Sequence, residues 1–424
     1  MDQKKALLLI TNFIKSSDLF FIIIGNAGTG KTTIAENIAN YTNAFMIAPT
    51  NAAVKRLKEK FGYVGQDRFC TIHQTLYDFP DPKTGEFIKS KGLGRNKTYI
   101  VDESSMIDEK VLEDLIQSAQ QRNCKLIFIG DDFQLEPVGK DPKIFNWETS
   151  NPLFKEHWKI KLEEVKRNDG TILKIATHLR KCKYPEIYNI NNDEFSIVPD
   201  FTKDLATDIK TNANYIVLVS NNKDRVKYNT RIRNFRFKTE ASNYVINGEK
   251  LISVANTGYA NGELFDVFQP IIVETYNETV NIGSTKKPVF KSYVMHLIDY
   301  KVNLESSCRQ RTLLIPELDI PSVHGVQLMT SNNIRYNKKL TEVNKYTKNR
   351  QWLSQISIST YGYATSVHKS QGNEWDNVYI DCGWLSNDWN KSRWLYTAIT
   401  RAKKKIEIMK SNQFKLIKDA ELVQ

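Results

Sequence analysis

Residues 19–32 read Leu19-Phe20-Phe21-Ile22-Ile23-Ile24-Gly25-Asn26-Ala27-Gly28-Thr29-Gly30-Lys31-Thr32. The first six form an unbroken apolar run, as in a strand buried on both faces, and Ile34, Ile38 and Ala39 then recur at helical spacing. Strand, glycine-rich loop and helix, in that order, make a phosphate-binding loop. The glycines let backbone N–H groups wrap phosphate oxygens, and the helix start adds partial positive charge. Lys31 can reach the β- and γ-phosphates, and the Thr32 hydroxyl can ligate Mg²⁺. A chance glycine loop is the bland alternative, and the flanking strand and helix argue against it. The stretch reads as a nucleoside triphosphate site contacted by Gly28, Thr29, Gly30, Lys31, Thr32 and Thr33.

The 424 residues allow two to four domains, and 25% charged with 41% hydrophobic residues is the balance of a folded chain. A formal net charge of +12 points toward a polyanionic partner, a merely basic enzyme being the other reading. Cys70, Cys124, Cys182, Cys308 and Cys382 are scattered without a CxxC pair, which suits a reducing compartment and argues against a structural zinc site. No apolar run approaches the ~18 residues of a membrane span, and the N-terminus lacks a signal-peptide pattern. We expect a cytoplasmic protein without a membrane partner.

Working outward, residues 4–16 pattern as a short amphipathic helix with Gln3 just ahead of it. Downstream, Ala44 to Ala48 reads as a strand ending in Pro49-Thr50-Asn51, before a basic helix with Lys55, Arg56, Lys58 and Lys60. Cys70-Thr71-Ile72-His73 and an irregular stretch, Asp78 to Lys97, follow; within the latter, Asp81 to Gly85 patterns as a hairpin turn. Tyr99-Ile100-Val101 then delivers Asp102-Glu103-Ser104-Ser105-Met106 to a strand end. A carboxylate there can hold Mg²⁺, and its neighbour can polarise an attacking water. A further strand, Lys125 to Ile129, delivers Gly130-Asp131-Asp132-Phe133-Gln134-Leu135 to the same edge, where Gln134 can meet the γ-phosphate or the water. Strand and helix alternate as in a doubly wound sheet. The pattern restarts with a strand at Tyr215 to Val219 and a basic helix at Lys223 to Phe235, and a polar helix is expected around Tyr336 to Trp352. Between about 251 and 330, short apolar pieces separated by Asn, Gly, Ser and Thr clusters read as a small β-barrel or sandwich inserted into a second α/β domain.

Together these stretches resemble the motifs of superfamily 1 helicases, closely those of the 1B branch of Dda and RecD type. Gly25 to Thr32 is similar to motif I, Ala48 to Ala53 to Ia, Thr71-Ile72-His73 to Ib, Asp102 to Met106 to II, Gly130 to Leu135 to III and Leu162 to Arg167 to IV. Tyr363 to Glu374 resembles motif V, and Tyr396 to Ala402 motif VI. The resemblance implies an α/β fold of two RecA-like P-loop domains. Domain 1A is expected at 1–77 and 98–160, a hairpin insertion 1B at 78–97, domain 2A at 161–255 and 352–424, and a β-rich, SH3-like insertion 2B at 256–351. It implies Lys31 and Thr32 on phosphates, Thr32 and Asp102 on Mg²⁺, Glu103 as general base and Gln134 as γ-phosphate sensor. Arg167 and Arg401 become arginine fingers, Glu374 meets the ribose, and Gln3 reads adenine or is simply a solvated terminal residue. Pro49, Thr50, Asn51, Thr71 and His73, with Thr365, Ser366 and His368, would line a single-strand channel; for the two histidines a core or capping role stays open. Phe79 or Phe87 would stack at a fork, or else anchor the hairpin to its own domain. Ser366 stands where Thr is commoner, and Glu136 where Pro is frequent.

The implied activity is an ATP-dependent, 5′-to-3′ DNA helicase of replication or recombination. Its expected partners are single-stranded and forked duplex DNA and a single-strand-binding protein, with ATP and Mg²⁺ required and the chain acting as a monomer. An ATP-switched single-strand binding module that remodels bound proteins, and an RNA-directed motor, are the alternatives.

Overall fold

The computed structural model describes residues 3–61, 66–77, 89–136, 158–162, 170–182, 184–238, 245–253, 264–281, 290–301, 310–314, 356–385 and 390–417. Two all-parallel sheets organise it, with a β-barrel joined to the second.

The first unit runs α1 (Gln3–Lys15), β1 (Phe20–Gly25), α2 (Lys31–Thr42), β2 (Phe45–Ala48), α3 (Asn51–Phe61), β3 (Phe69–Thr71), α4 (Ile72–Leu76), β4 (Thr98–Val101), α5 (Glu109–Arg122), β5 (Lys125–Gly130) and β6 (Lys159–Leu162). The sheet order is β3-β2-β4-β5-β1-β6. Every residue of β1 is buried, as its apolar run requires, because helices cover both faces of the sheet. Local signals set the helix ends. Asp108 caps α5 by accepting from the Val111 N–H at 2.9 Å, and Asn123, at φ 51°, closes it in the left-handed conformation that Asn tolerates. This order matters for function, since neighbouring parallel strands present their carboxyl ends along one edge. The ends of β2, β4, β5 and β1 carry Pro49-Thr50, Asp102-Glu103, Asp131-Asp132 and the phosphate loop side by side.

Two expected boundaries shift. β6 pairs with β1 as far as Gly25↔Leu162, so residues 161 and 162 lie with the first sheet, where Ile160 and Leu162 point into its core. The insertion expected at 78–97 is narrower. Lys89 already bridges back to Tyr77, and Leu93 is buried in the first unit with its N–H on Ser118 Oγ at 3.0 Å. Residues 78–88, including Phe79, Phe87 and the Asp81–Gly85 turn, lie outside the described residues.

The second unit contains α6 (Thr171–Lys181), β7 (Glu186–Tyr188), β8 (Phe195–Val198), α7 (Thr202–Thr211), β9 (Tyr215–Val219) and α8 (Asn222–Phe237). The barrel strands β10 (Glu249–Ser253), β11 (Leu264–Asn281), β12 (Phe290–Lys301), β13 (Gln310–Leu314) and β14 (Ile356–Tyr361) come next. β15 (Ala364–Ser366), α9 (Val367–Ser370), β16 (Trp375–Asp381), α10 (Lys391–Ile399), β17 (Ala402–Met409) and β18 (Lys415–Ile417) complete it. Its parallel sheet has the order β15-β9-β16-β17-β8. The barrel is closed, and its first and last strands fall outside 256–351, because closure needs β10 to pair with both β11 and β14. The polar helix expected around 336–352 lies outside the described residues.

One buried side chain holds the barrel's exit in place. Asn229 Nδ2 donates to the Tyr361 carbonyl at 3.0 Å, while its Oδ1 accepts from the Tyr363 and Ala364 N–H groups at 3.0 and 2.8 Å. Among the described residues, no helix is long and apolar enough to cross a membrane.

Candidate active site

The phosphate loop leaves β1 at Gly25 and enters α2 at Lys31, with Gly28 and Gly30 at φ 79° and 81°. Those angles turn the loop back over the start of α2. Lys31 Nζ lies across the loop, donating to the Gly25 and Asn26 carbonyls at 2.6 and 2.8 Å. Thr32 and Thr33 sit in the first turn of α2.

Asp102 and Glu103 stand at the end of β4, both buried. Glu103 is held at φ 50°, a left-handed backbone costing a non-glycine residue roughly 1–2 kcal/mol. The Asp102 N–H donates to the Ile47 carbonyl and Ser104 Oγ donates to the Ile129 carbonyl, each at 2.9 Å, and these bonds pin the turn. Arg56 reaches over from α3, donating to Glu103 Oε1 at 2.8 Å and Asp102 Oδ2 at 3.4 Å, with Glu374 Oε1 4.0 Å away. Burial works against the Arg56 charge, but the three carboxylates outweigh it and raise its pKa. The pair splits in consequence. Burial opposes ionisation of Glu103, yet Arg56, Arg401 and Lys31 overcome it and hold the carboxyl below its usual range. Burial and the adjacent Glu103 charge push Asp102 up.

The second unit closes onto this edge. Arg401, at the end of α10, is buried; its Nε donates to the Thr397 carbonyl at 3.1 Å, and its terminal nitrogens donate to Thr400 Oγ1 and the Asn373 carbonyl. Burial lowers its pKa, against which the nearby Glu103 and Glu374 charges raise it. The segment after β5 is gripped from several sides. Thr397 Oγ1 accepts from the Leu135 N–H, and Gln371 Nε2 donates to the Leu135 carbonyl, each at 2.9 Å. Leu135 itself is buried in the second unit's core. Arg393 Nη1 donates to the Gln134 carbonyl at 3.2 Å and pairs with Glu136 at 3.4 Å, which accounts for a glutamate at that position. Arg180 of α6 pairs with both Asp131, which is fully buried, and Asp132. The Tyr396 hydroxyl donates to Asp131 and accepts from the Ala27 N–H at 3.1 Å, tying α10 to the phosphate loop.

Beside the loop, a cavity of about 600 Å³ opens between Ala27 and Gly28 on one side and Ile172, Ala176, Thr400 and Lys403 on the other. Among the described residues, Asn26 Oδ1 and Gln134 Oε1 are buried side-chain atoms without a hydrogen-bond partner, and both belong to this edge. A positive loop, two carboxylates, an open cavity and unsatisfied polar atoms together fit a phosphorylated ligand with a divalent cation.

The expected residues thus fall into distinct groups. Lys31, Asp102, Glu103, Gln134, Glu374 and Arg401 lie at the junction of the two units, with Thr32 next to Lys31 in the first turn of α2. Arg167 lies outside the described residues, as does the side chain of Gln3, the first residue of α1. Pro49, Thr50 and Asn51 lead from β2 into α3, half-buried, with Thr50 Oγ1 accepting from the Ala53 N–H at 3.2 Å. Thr71 is buried, and its hydroxyl accepts from the Gln74 N–H in a capping box, so its side chain serves the start of α4. His73, in contact with Tyr77, and His368 are half-buried, and burial lowers the pKa of both. Thr365 is buried in β15, and Ser366 is the N-cap position of α9. Arg56, Arg180, Arg393, Gln371 and Tyr396 received no role from sequence. Each works through a partner distant in the chain, which neither periodicity nor spacing reveals.

Residues 2–194 match the family model of an AAA domain, and residues 361–409 that of the UvrD-like helicase C-terminal domain. An uncharacterized protein of Acanthamoeba polyphaga mimivirus is 24% identical across 96% of this chain and 98% of its own length. The ATP-dependent DNA helicase Dda of Enterobacteria phage T4 is 31% identical, over 43% of this chain and 42% of its own. The RecBCD enzyme subunit RecD of Buchnera aphidicola (subsp. Schizaphis graminum) is 25% identical over 97% of this chain and 73% of its own. Among solved structures, the Pif1 helicase from Bacteroides in complex with ADP-AlF3 and ssDNA superposes with a TM-score of 0.51 at 17% identity, covering 100% of this chain and 96% of that one. That likeness extends to the fold of two RecA-like domains. With the AAA and UvrD-like domain matches, these likenesses support a superfamily 1B helicase of the Dda and RecD type.

Proposed function

We propose that this chain is an ATP-dependent DNA helicase that moves 5′ to 3′ along single-stranded DNA and separates duplex at a fork. The observation that carries it is the meeting of Lys31, the Asp102-Glu103 pair and Arg401 across a cleft between two parallel sheets, each contributed by a different unit. A site split in this way gives ATP a reason to draw the units together and its hydrolysis a reason to release them. The polarity rests on the family, since no distance in the cleft encodes direction.

In this reading Thr32 and Asp102 would hold Mg²⁺, which when bound would neutralise phosphate charge. Glu103, kept ionised by Arg56, takes the proton of the attacking water. Gln134 orients that water or the γ-phosphate through its unpaired Oε1. Arg401, and Arg167 from motif IV, neutralise charge developing on the γ-phosphate. The nucleoside half enters the cavity beside Ala27 and Gly28, near Glu374, with Gln3 reading the base.

Single-stranded DNA crosses the strand ends where β2 and β15 deliver Pro49 to Asn51 and Thr365 to His368. Thr71 and His73 lie beside them at the end of β3. Gly372, just after α9, lies close to Thr50, since a Cβ there would stand 3.1 Å from Thr50 Oγ1. Small hydroxyls and backbone N–H groups grip phosphates without reading sequence, as a translocating protein requires. Residues 78–88, with Phe79 or Phe87 as wedge, form the strand-separating insertion, and the barrel is the SH3-like 2B element. The basic, cysteine-scattered chain fits a cytoplasmic setting and a monomeric enzyme that shares its template with a single-strand-binding protein.

The test is hydrolysis of ATP with and without single-stranded DNA. Wild type should be stimulated by DNA and should need Mg²⁺. Lys31→Ala should lose hydrolysis while retaining DNA binding; loss of both in a folded variant would contradict the separation of the two sites.

A further inference from the structure

On the side of α6 away from the cleft, His178, Cys182 and Glu186 bring an imidazole nitrogen, a sulfur and a carboxylate oxygen within 4.8 Å of one another. His178 stands in the last turn of α6 and Cys182 is the extended residue that caps it, four positions on. Glu186 opens β7, to which the chain turns back. His178 Nε2 lies 3.2 Å from Cys182 Sγ, close to the roughly 3.5 Å edge of a tetrahedron built on zinc–nitrogen and zinc–sulfur bonds. The other ring nitrogen, Nδ1, is 3.1 Å from the Tyr188 hydroxyl, and the two rings pack with centroids 4.5 Å apart. A hydrogen bond on the far nitrogen is the support that orients a metal-binding imidazole and selects its tautomer. All three side chains are half-buried, within reach of solvent. Lys415 Nζ, 3.4 Å from Glu186, is exposed and free to swing aside.

We propose that His178, Cys182 and Glu186 form a binding site for a zinc-type divalent cation, completed by one water. Sulfur and imidazole select such an ion over Mg²⁺ or Ca²⁺, which take oxygen ligands. On binding, the Cys182 S–H bond breaks, its proton passes to solvent, and the sulfur electron pair forms the bond to the metal. The His-x3-Cys-x3-Glu spacing is not the paired-cysteine pattern that sequence reading looks for. The position has a consequence. Arg180 lies between His178 and Cys182 in the chain and reaches Asp131 and Asp132. A cation joining the end of α6 to β7 stiffens the base from which Arg180 spans the cleft.

The experiment is titration of the full chain, without nucleotide, by Co²⁺ as a spectroscopic stand-in. A thiolate-to-cobalt charge-transfer band with intense tetrahedral visible bands should saturate at one equivalent, and Cys182→Ser should abolish it. Tyr188→Phe keeps all three ligands and should weaken binding about tenfold through the imidazole's lost support. A measurement on wild type needs no variant: Zn²⁺ should protect Cys182, but not the half-buried Cys70, from alkylation mapped by peptide mass. Absence of the band in wild type, or equal alkylation of Cys182 with and without Zn²⁺, overturns the site.

Discussion

Arg401 and Arg180 are both arginines of the second unit facing the first, yet they do different work. Arg401 is held by three hydrogen bonds to its own unit and has Glu103 and Glu374 as its nearest charge influences. Removing it subtracts charge from the reacting edge while leaving the fold's ion pairs intact. Arg401→Ala should therefore lower DNA-stimulated turnover on the order of 10³-fold with little change in ATP affinity, measured by steady-state hydrolysis and nucleotide titration; unchanged turnover would remove its finger role. Arg180 instead neutralises Asp131, which is fully buried. Arg180→Ala strands that carboxylate, a change worth about 3–5 kcal/mol when a buried pair loses one member. The loss should appear as a lowered melting temperature and weaker closure by nucleotide. Arg180→Lys should rescue only part, since it restores the positive charge but not the planar fork whose separate nitrogens meet Asp131 and Asp132. Sequence made the first arginine legible because its neighbours form a recognisable string. The second sits in an ordinary amphipathic helix, and only the packing of α6 against the end of β5 distinguishes it.

Among the elements, the strands of the first sheet were readable because burial on both faces demands continuous apolar runs, as in β1 and β5. Helix existence was equally plain, with α1 and α8 within a few residues of their expected limits. What escaped was set by partners far away in sequence. β6 is four residues long with two charged lysines, and only its pairing with β1 makes it part of the first sheet. The barrel's terminal strands look like the end of one α/β element and the start of another until closure joins them. The loop after α9 shows how such contacts reach function. Gly372 has φ +83°, and a Cβ there would crowd Thr50 Oγ1 at 3.1 Å. Gly372→Ala should cost about 1–2 kcal/mol of backbone strain and push the loop after α9 away from Thr50, one of the residues proposed to meet DNA. The expected result is weaker single-strand binding in the ATP-bound state, read by fluorescence anisotropy, with nucleotide-free binding much less affected.

At the scale of the whole molecule, the second sheet carries a titration of its own. Glu407 on β17 is buried; desolvation and its contact with Asp204 push its pKa up to about 7, although Lys405 lies 2.7 Å away. A carboxyl whose folded pKa is raised contributes stability fully present below its unfolded value near 4.5 and lost as pH rises through about 7. Unfolding free energy should accordingly decline between pH 5 and pH 8 by on the order of 2 kcal/mol. Glu407→Gln should flatten that decline in denaturant titrations. At this scale the proposed nucleotide site is divided between two sheets, and in that proposal the division drives directional strand separation. The most direct measurement uses two forks, one with only a 5′ single-stranded tail and one with only a 3′ tail, and Lys31→Ala as the blank. ATP-dependent unwinding from the 5′ tail alone is the predicted result. Unwinding from the 3′ tail would contradict the direction, and hydrolysis stimulated by DNA without unwinding of either fork would contradict the helicase itself.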